Sequence, residues 1–175
     1  MAKIRVYPHN DLLSLALYHR RMIIDKTESG NADAIALDCM SCLIALAFGV
    51  EALVNFVGFR KITGWIEQQS FRHKIKQVCT VAGIEFDENE EPFLTVWQLK
   101  ITRDSMAHGQ PYEGTQNVST MEELKAAMEC PWYKNLNLNY INHACAQVKQ
   151  FKHLLFDNCG ISIGHTLTSG AGFIG

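Results

Sequence analysis

No excess of positive charge, no phosphate-binding loop and no complete zinc motif stand in this chain, and each absence removes a class of function. Its 16 basic and 18 acidic residues leave a formal net charge of -2, with a pI near 6.4. Nothing so balanced attracts nucleic acid globally, and any such contact must be a local patch. The only glycine-rich segment, residues 161–175, does not match a phosphate loop. Cys39 and Cys42 form a single Cys-x-x-Cys inside an apolar helical stretch, without a second pair at zinc spacing or the strand-turn setting of a redox motif. The six cysteines therefore read as reduced structural thiols. His143 and His153 lie ten apart on one helix and make no close ligand pair. No metal and no cofactor is expected, and there is no internal repeat. The opening residues carry no secretory cleavage pattern, so a cytoplasmic address is expected.

What is present is helix. A length of 175 residues suits one domain with a proper core. After a short alternating lead, Met1 to His9, read as a small strand or an extended arm, Asn10 is the expected N-cap of a helix reaching about Lys26. Residues 33–59 predict the longest helix, about 40 Å at 1.5 Å per residue, and from Leu43 to Phe59 it is apolar nearly all round. Such a helix has neighbours on most sides in a globular protein. Asp38, Glu51 and Asn55 argue against a membrane span. Gly58 to Gly64 reads as a bend, and Ser70 as the cap of a helix over residues 71–82. The acidic loop 85–91 leads into Pro92 and a helix buried through Phe93, Val96, Trp97 and Ile101. Thr120 and Glu123 form a capping box for a short helix. The last helix covers about 139–158, and residues 161–175 form a Gly/Thr-rich tail, mobile or an arm to a partner chain. The expected fold is all-α, an antiparallel bundle of four to five main helices in one domain, 1–160, followed by the tail.

Chemistry concentrates at Leu99 to Pro111, where an apolar helical segment closes with Arg103, Asp104 and His108 before Gly109 and Pro111 break it. Histidine takes and gives protons near neutral pH, and the arginine fork fits two phosphate oxygens. The pair could cleave RNA without a metal. His108 would handle the proton of the ribose 2′-OH or of the leaving oxygen, and Arg103 would stabilise charge on the phosphorus oxygens. Asp104 would orient one of them. Residues five apart on an unbroken helix diverge by about 140°. Convergence therefore requires the helix to end between them, or two copies of the chain to join their motifs. Glu51 and Asn55, four apart on one face, read either as a buried polar pair or as support for Arg103. Arg60, Lys61, Arg72, Lys74 and Lys76 form the best candidate RNA-binding patch, with Arg72, His73, Lys74 and Lys76 assigned to an outer face.

The segment Arg103-Asp104-Ser105-Met106-Ala107-His108, followed by glycine, resembles the signature of the HEPN superfamily of small helical domains. Leu46 to Phe56, with Glu51 and Asn55 in a very apolar run, is similar to the long second helix of many members. The resemblance covers about residues 33–111 and the last helix. It implies a homodimer that joins two Arg-and-His motifs, metal-independent endoribonuclease activity on RNA, and a toxin or host-defence role held in check by an antitoxin or regulatory protein. Arg103 and His108 match the paired motif residues, Asp104 the polar residue after the arginine, and Glu51 only a family tendency. The subgroup that works with a small nucleotidyltransferase carries a tyrosine two residues after the histidine, where this chain has Gln110, and Tyr112 comes two later. No particular antitoxin is implied. The competing reading is a non-catalytic helical dimer that binds a protein partner or nucleotide through the same cleft.

Overall fold

The computed structural model describes residues 3–111 and 113–171. In chain order its elements are β1 (Lys3–Arg5), α1 (Pro8–Glu28), α2 (Ile35–Lys61), α3 (Phe71–Ala82), α4 (Phe93–Ala107), α5 (Met121–Ala127), α6 (Leu138–Asn158) and β2 (Ser169–Ala171). The chain is thus an all-α helical bundle with, among the described residues, one two-stranded ribbon.

Local chemistry sets most of the boundaries. Helix α1 begins at Pro8 rather than after Asn10, because a proline at the first helical position has its φ preset and gives up no needed N–H. Asn10, expected as the cap, instead donates its side-chain amide to the Thr166 carbonyl. Ser70 caps α3 as expected, accepting from His73 N at 3.3 Å. Thr120 caps α5, accepting from Glu123 N at 3.1 Å, and Asn137 caps α6 by accepting from Tyr140 N at 2.9 Å. The N-cap of α2 is unusual: Ala34 holds φ at 54°, in the left-handed region that costs a Cβ-bearing residue about 1 kcal/mol.

Helix α2 runs straight through Gly58, which the sequence placed in a bend. The reason is tertiary. The Trp65 ring folds back onto α2 at this position, where a Cβ would lie 2.4–2.5 Å from indole atoms. Gly49 works similarly against α1, since a Cβ there would stand 2.8 Å from Leu13 Cδ2.

Helices α1 and α2 form an antiparallel pair: Lys26 meets Asp38, Ala16 meets Cys42 and Leu13 meets Gly49. Helix α6 runs antiparallel to both α1, through Arg20–Asn142 and His9–Phe156, and α4, through Gln98–Tyr140 and Phe93–Phe151. Helix α2 lies at the centre and touches α1, α3, α4 and α6. Among the described residues it is the one helix long and apolar enough to cross a membrane. Its most apolar window is 67 % buried against the other helices, so the bundle itself takes up that surface.

The tail departs from expectation. Of the residues set apart as a mobile end or an arm to a partner, 161–171 fold back on their own chain, with β2 antiparallel to β1, Lys3 opposite Ala171 and Arg5 opposite Ser169, while 172–175 lie outside the described residues. Ile161 and Thr166 are buried, and Thr168 Oγ1 accepts from Tyr7 N at 3.2 Å. Ile101, expected in the core, is half exposed because α4 turns that side toward solvent.

Candidate functional site

Helix α4 positions the Arg-Asp-His motif. Phe93, Val96 and Leu99 bury one side of it against the core, which leaves residues 100, 103 and 104 at the boundary between core and solvent. Nothing in the sequence breaks the helix before Gly109, so it runs unbroken to Ala107. His108 takes the C-cap, its backbone N–H donating to the Asp104 carbonyl at 2.9 Å, and its side chain is exposed. The turn between Arg103 and His108 is therefore helical, and their side chains leave the axis about 140° apart. The first route to convergence, a helix that ends between them, does not occur.

Arg103 sits in a chain of alternating charges. Its Nη2 donates to Glu51 Oε2 at 2.9 Å, and its Nε lies 3.2 Å from Asp104 Oδ1. The Nε contact is one of charge and not of hydrogen-bond geometry, since this buried nitrogen has no acceptor. Lys74 Nζ donates to the other Glu51 oxygen at 2.8 Å. Lys100 Nζ closes the far end on Asp104 Oδ2 at 2.6 Å. Three cations thus alternate with two carboxylates, leaving one net positive charge. Such pairing is what lets Lys74, only 2 % exposed, remain in the interior. The Arg103 guanidinium also stands 5.4 Å over the Phe48 ring, an attractive arrangement for a cation against a π face. The Arg103 side chain keeps 22 % exposure, and its Nη1 is not among the atoms bound by Glu51 or Asp104.

The structure thus brings Arg103, Asp104 and Glu51 together, and separates the other expected residues. Asn55 is not a support for Arg103: its Nδ2 reaches Glu67 Oε1 at 3.5 Å, and it lines a hollow with Phe59 and Trp65. Lys74 is not part of an outer basic face. It lies three residues after Phe71 and four before Val78, on the same helical stripe, and is drawn inward to Glu51. Arg60, Lys61 and Lys76 are exposed. Arg60 lies nine residues beyond Glu51, about 14 Å further along α2. Arg72 pairs with Glu88 at 2.9 Å and stands 5.8 Å over the Trp97 ring. Of the expected RNA patch, Lys74 is withdrawn to Glu51 and Arg72 is engaged by Glu88, while Arg60, Lys61 and Lys76 remain at the surface.

Sequence reasoning missed two members of the site. Lys100 carries a signal that was there to be read, the i,i+4 spacing to Asp104, and it also lies 5.5 Å from the Trp97 ring centre. Phe48 carries none, because an exposed aromatic in an apolar run looks like any other core residue.

A second polar group ties α4 to α6. Glu91 Oε1 accepts from Thr95 Oγ1 at 2.8 Å and lies 3.0 Å from His143 Nε2. Glu91 Oε2 accepts from Thr95 N at 3.3 Å. Thr95 is buried, 1 % exposed, so its hydroxyl is closed off from solvent and the group joins the two helices. No cluster of three or more metal-ligating side chains occurs among the described residues. The chain matches no family model, no curated protein and no solved structure among those compared with it.

Proposed function

We propose that the protein is a metal-independent endoribonuclease of HEPN type, acting in the cytoplasm as a homodimer in a toxin-antitoxin or host-defence system. The observation that supports this reading is the setting of Arg103. Glu51 and Asp104 hold the guanidinium from two sides, the chain of five charges that includes Arg103 carries one net positive charge, and the Arg103 side chain keeps 22 % exposure. An arginine oriented in advance and still accessible suits a developing negative charge on phosphorus.

Because α4 carries His108 away from Arg103, one working site takes residues from two copies of the motif. In that site the His108 of one copy removes the 2′-OH proton as the 2′-oxygen bonds to phosphorus, and the His108 of the other copy gives a proton to the departing 5′-oxygen. Arg103 neutralises the phosphoryl oxygens as the bond to the 5′-oxygen breaks. The products are a 2′,3′-cyclic phosphate and a 5′-hydroxyl end.

The test is incubation of mixed cellular RNA with the purified dimer in excess chelator, beside folded Arg103→Ala and His108→Ala variants. Cleavage by the wild type and loss of it in both variants is the expected result. No cleavage by a wild type confirmed as a dimer rejects the reading.

One observation favours a second reading, a helical dimer that binds a protein or nucleotide and has no chemistry. Arg103 already faces two carboxylates while His108 serves as a helix cap. Wild-type protein that binds RNA or captures a partner without cutting RNA supports this alternative.

A further inference from the structure

On the side of the bundle where α1 and α6 run antiparallel, the sequence brings two stripes face to face. Leu13, Leu17 and Arg20 recur at intervals of four and three on α1. Asn142, Cys145, Ala146, Lys149 and Lys152 recur at three, one, three and three on α6, so they share one helical face. The small side chains of Cys145 and Ala146 leave a gap between the helices. The gap is a groove of about 470 Å³, floored by Leu46 of α2 and Val148, a volume in the range of small-molecule sites.

Its charge is one-sided. Arg20, Lys149 and Lys152 line it, and no carboxylate does. None of the three takes part in an ion pair among the described residues. This sets them apart from Arg72, Lys74, Lys100 and Arg103, each of which holds an acid. Arg20 is oriented as well: its Nε donates to Asn142 Oδ1 at 2.7 Å, which leaves the two terminal nitrogens of the fork to the groove. The positive field reaches a neighbouring group. Lys152 adds to the burial that lowers His9. The rest of the lining is aliphatic, and Leu17 keeps 55 % of its surface exposed.

We propose that the groove between α1 and α6 binds a small amphiphilic organic anion, a carboxylic acid with an aliphatic body. Its carboxylate is taken by the Arg20 fork with help from Lys149 and Lys152, and its body lies on Leu13, Leu17 and Leu46. An arginine held at Nε offers two parallel N–H groups, the geometry that matches a carboxylate. Lysines that lack acids lose little when an anion arrives. The apolar floor gains by covering Leu17, which a purely polar anion would leave in water. The site is independent of the α4 motif and requires neither a dimer nor RNA.

Isothermal titration of the full chain with sodium octanoate tests the proposal. The expected result is saturable binding of one octanoate per chain, with 1-octanol and acetate each at least tenfold weaker. Arg20→Gln weakens octanoate at least tenfold. Ala146→Trp, at an exposed position where the new ring fills the groove without removing a charge, abolishes binding while the circular dichroism stays that of the wild type. Failure of the folded wild type to saturate overturns the proposal. So does octanoate binding that survives Ala146→Trp, or acetate or octanol binding as tightly as octanoate.

Discussion

Lys74 and Arg103, from two different helices, divide the two oxygens of Glu51 between them, at 2.8 and 2.9 Å. Glu51 is therefore the counter-charge for a buried lysine and for the arginine of the motif at once. Removing it strands Lys74 in the interior, where an unpaired charge costs several kcal/mol. Glu51→Gln is expected to destabilise the fold by about 3 kcal/mol. Lys74→Met, which leaves Glu51 its partner Arg103, is expected to cost much less. The midpoints of urea unfolding decide, and equal losses in the two variants would show that the lysine carries no uncompensated charge.

His9 is fully buried, and neither ring nitrogen has a hydrogen-bond partner. It packs among Tyr7, Phe56 and Phe156. Burial, followed by the Lys152 charge, lowers its pKa from 6.5 to about 4. The unfolded chain binds this proton first, so the contribution is complete above pH 6.5 and is lost as pH falls from 6.5 toward 4. The expected loss is up to about 3 kcal/mol across that window. Unfolding midpoints from pH 7 to 4.5 check this against His9→Phe, which should flatten that part of the profile.

Gly58→Ala tests the seat of Trp65. The added methyl would occupy space 2.4–2.5 Å from indole atoms, and a clash of this kind costs about 1–3 kcal/mol. Displacement of the ring from α2 should appear as a red shift in tryptophan emission together with a lowered Tm. A spectrum and Tm equal to those of the wild type would mean that the ring does not rest on the helix.

Thiol reactivity should follow burial. Cys39, Cys42, Cys79 and Cys159 are buried, while Cys130 and Cys145 are partly exposed. Burial pushes the Cys39 thiol up to about 11 and the Cys79 thiol up to about 12, and a protonated thiol is a poor nucleophile. Native protein should release two equivalents from an aromatic disulfide reagent at pH 8, and six after unfolding. Rapid native reaction of four or more would contradict the packing of α2 and α3.

Helical periodicity was enough to place α3, α5 and α6 and the central position of α2, because their apolar stripes and caps are local. The fate of Gly58 was not legible, since its reason is a tryptophan seven residues on that returns to touch it. Lys74 was legible in principle: it falls on the Phe71–Val78 stripe, and only its charge argued for the outside. Its pairing with Glu51 depends on how α3 crosses α2, which no local pattern records. Arg103, Asp104 and Glu51 were legible as a group because two of them share a helix and the third lies in an otherwise apolar run. The divergence of His108 follows from where α4 stops, and helix ends are the least determined feature of a sequence.

The β1–β2 ribbon sets how the molecule responds to pulling. Residues 3 and 171 sit opposite each other at the same end of the ladder. Tension applied between them therefore opens the ribbon like a zipper, one pair at a time, before any load reaches the helices. The bundle is mechanically buffered by its weakest element, and the first extension under force should be short, low in force and readily reversed.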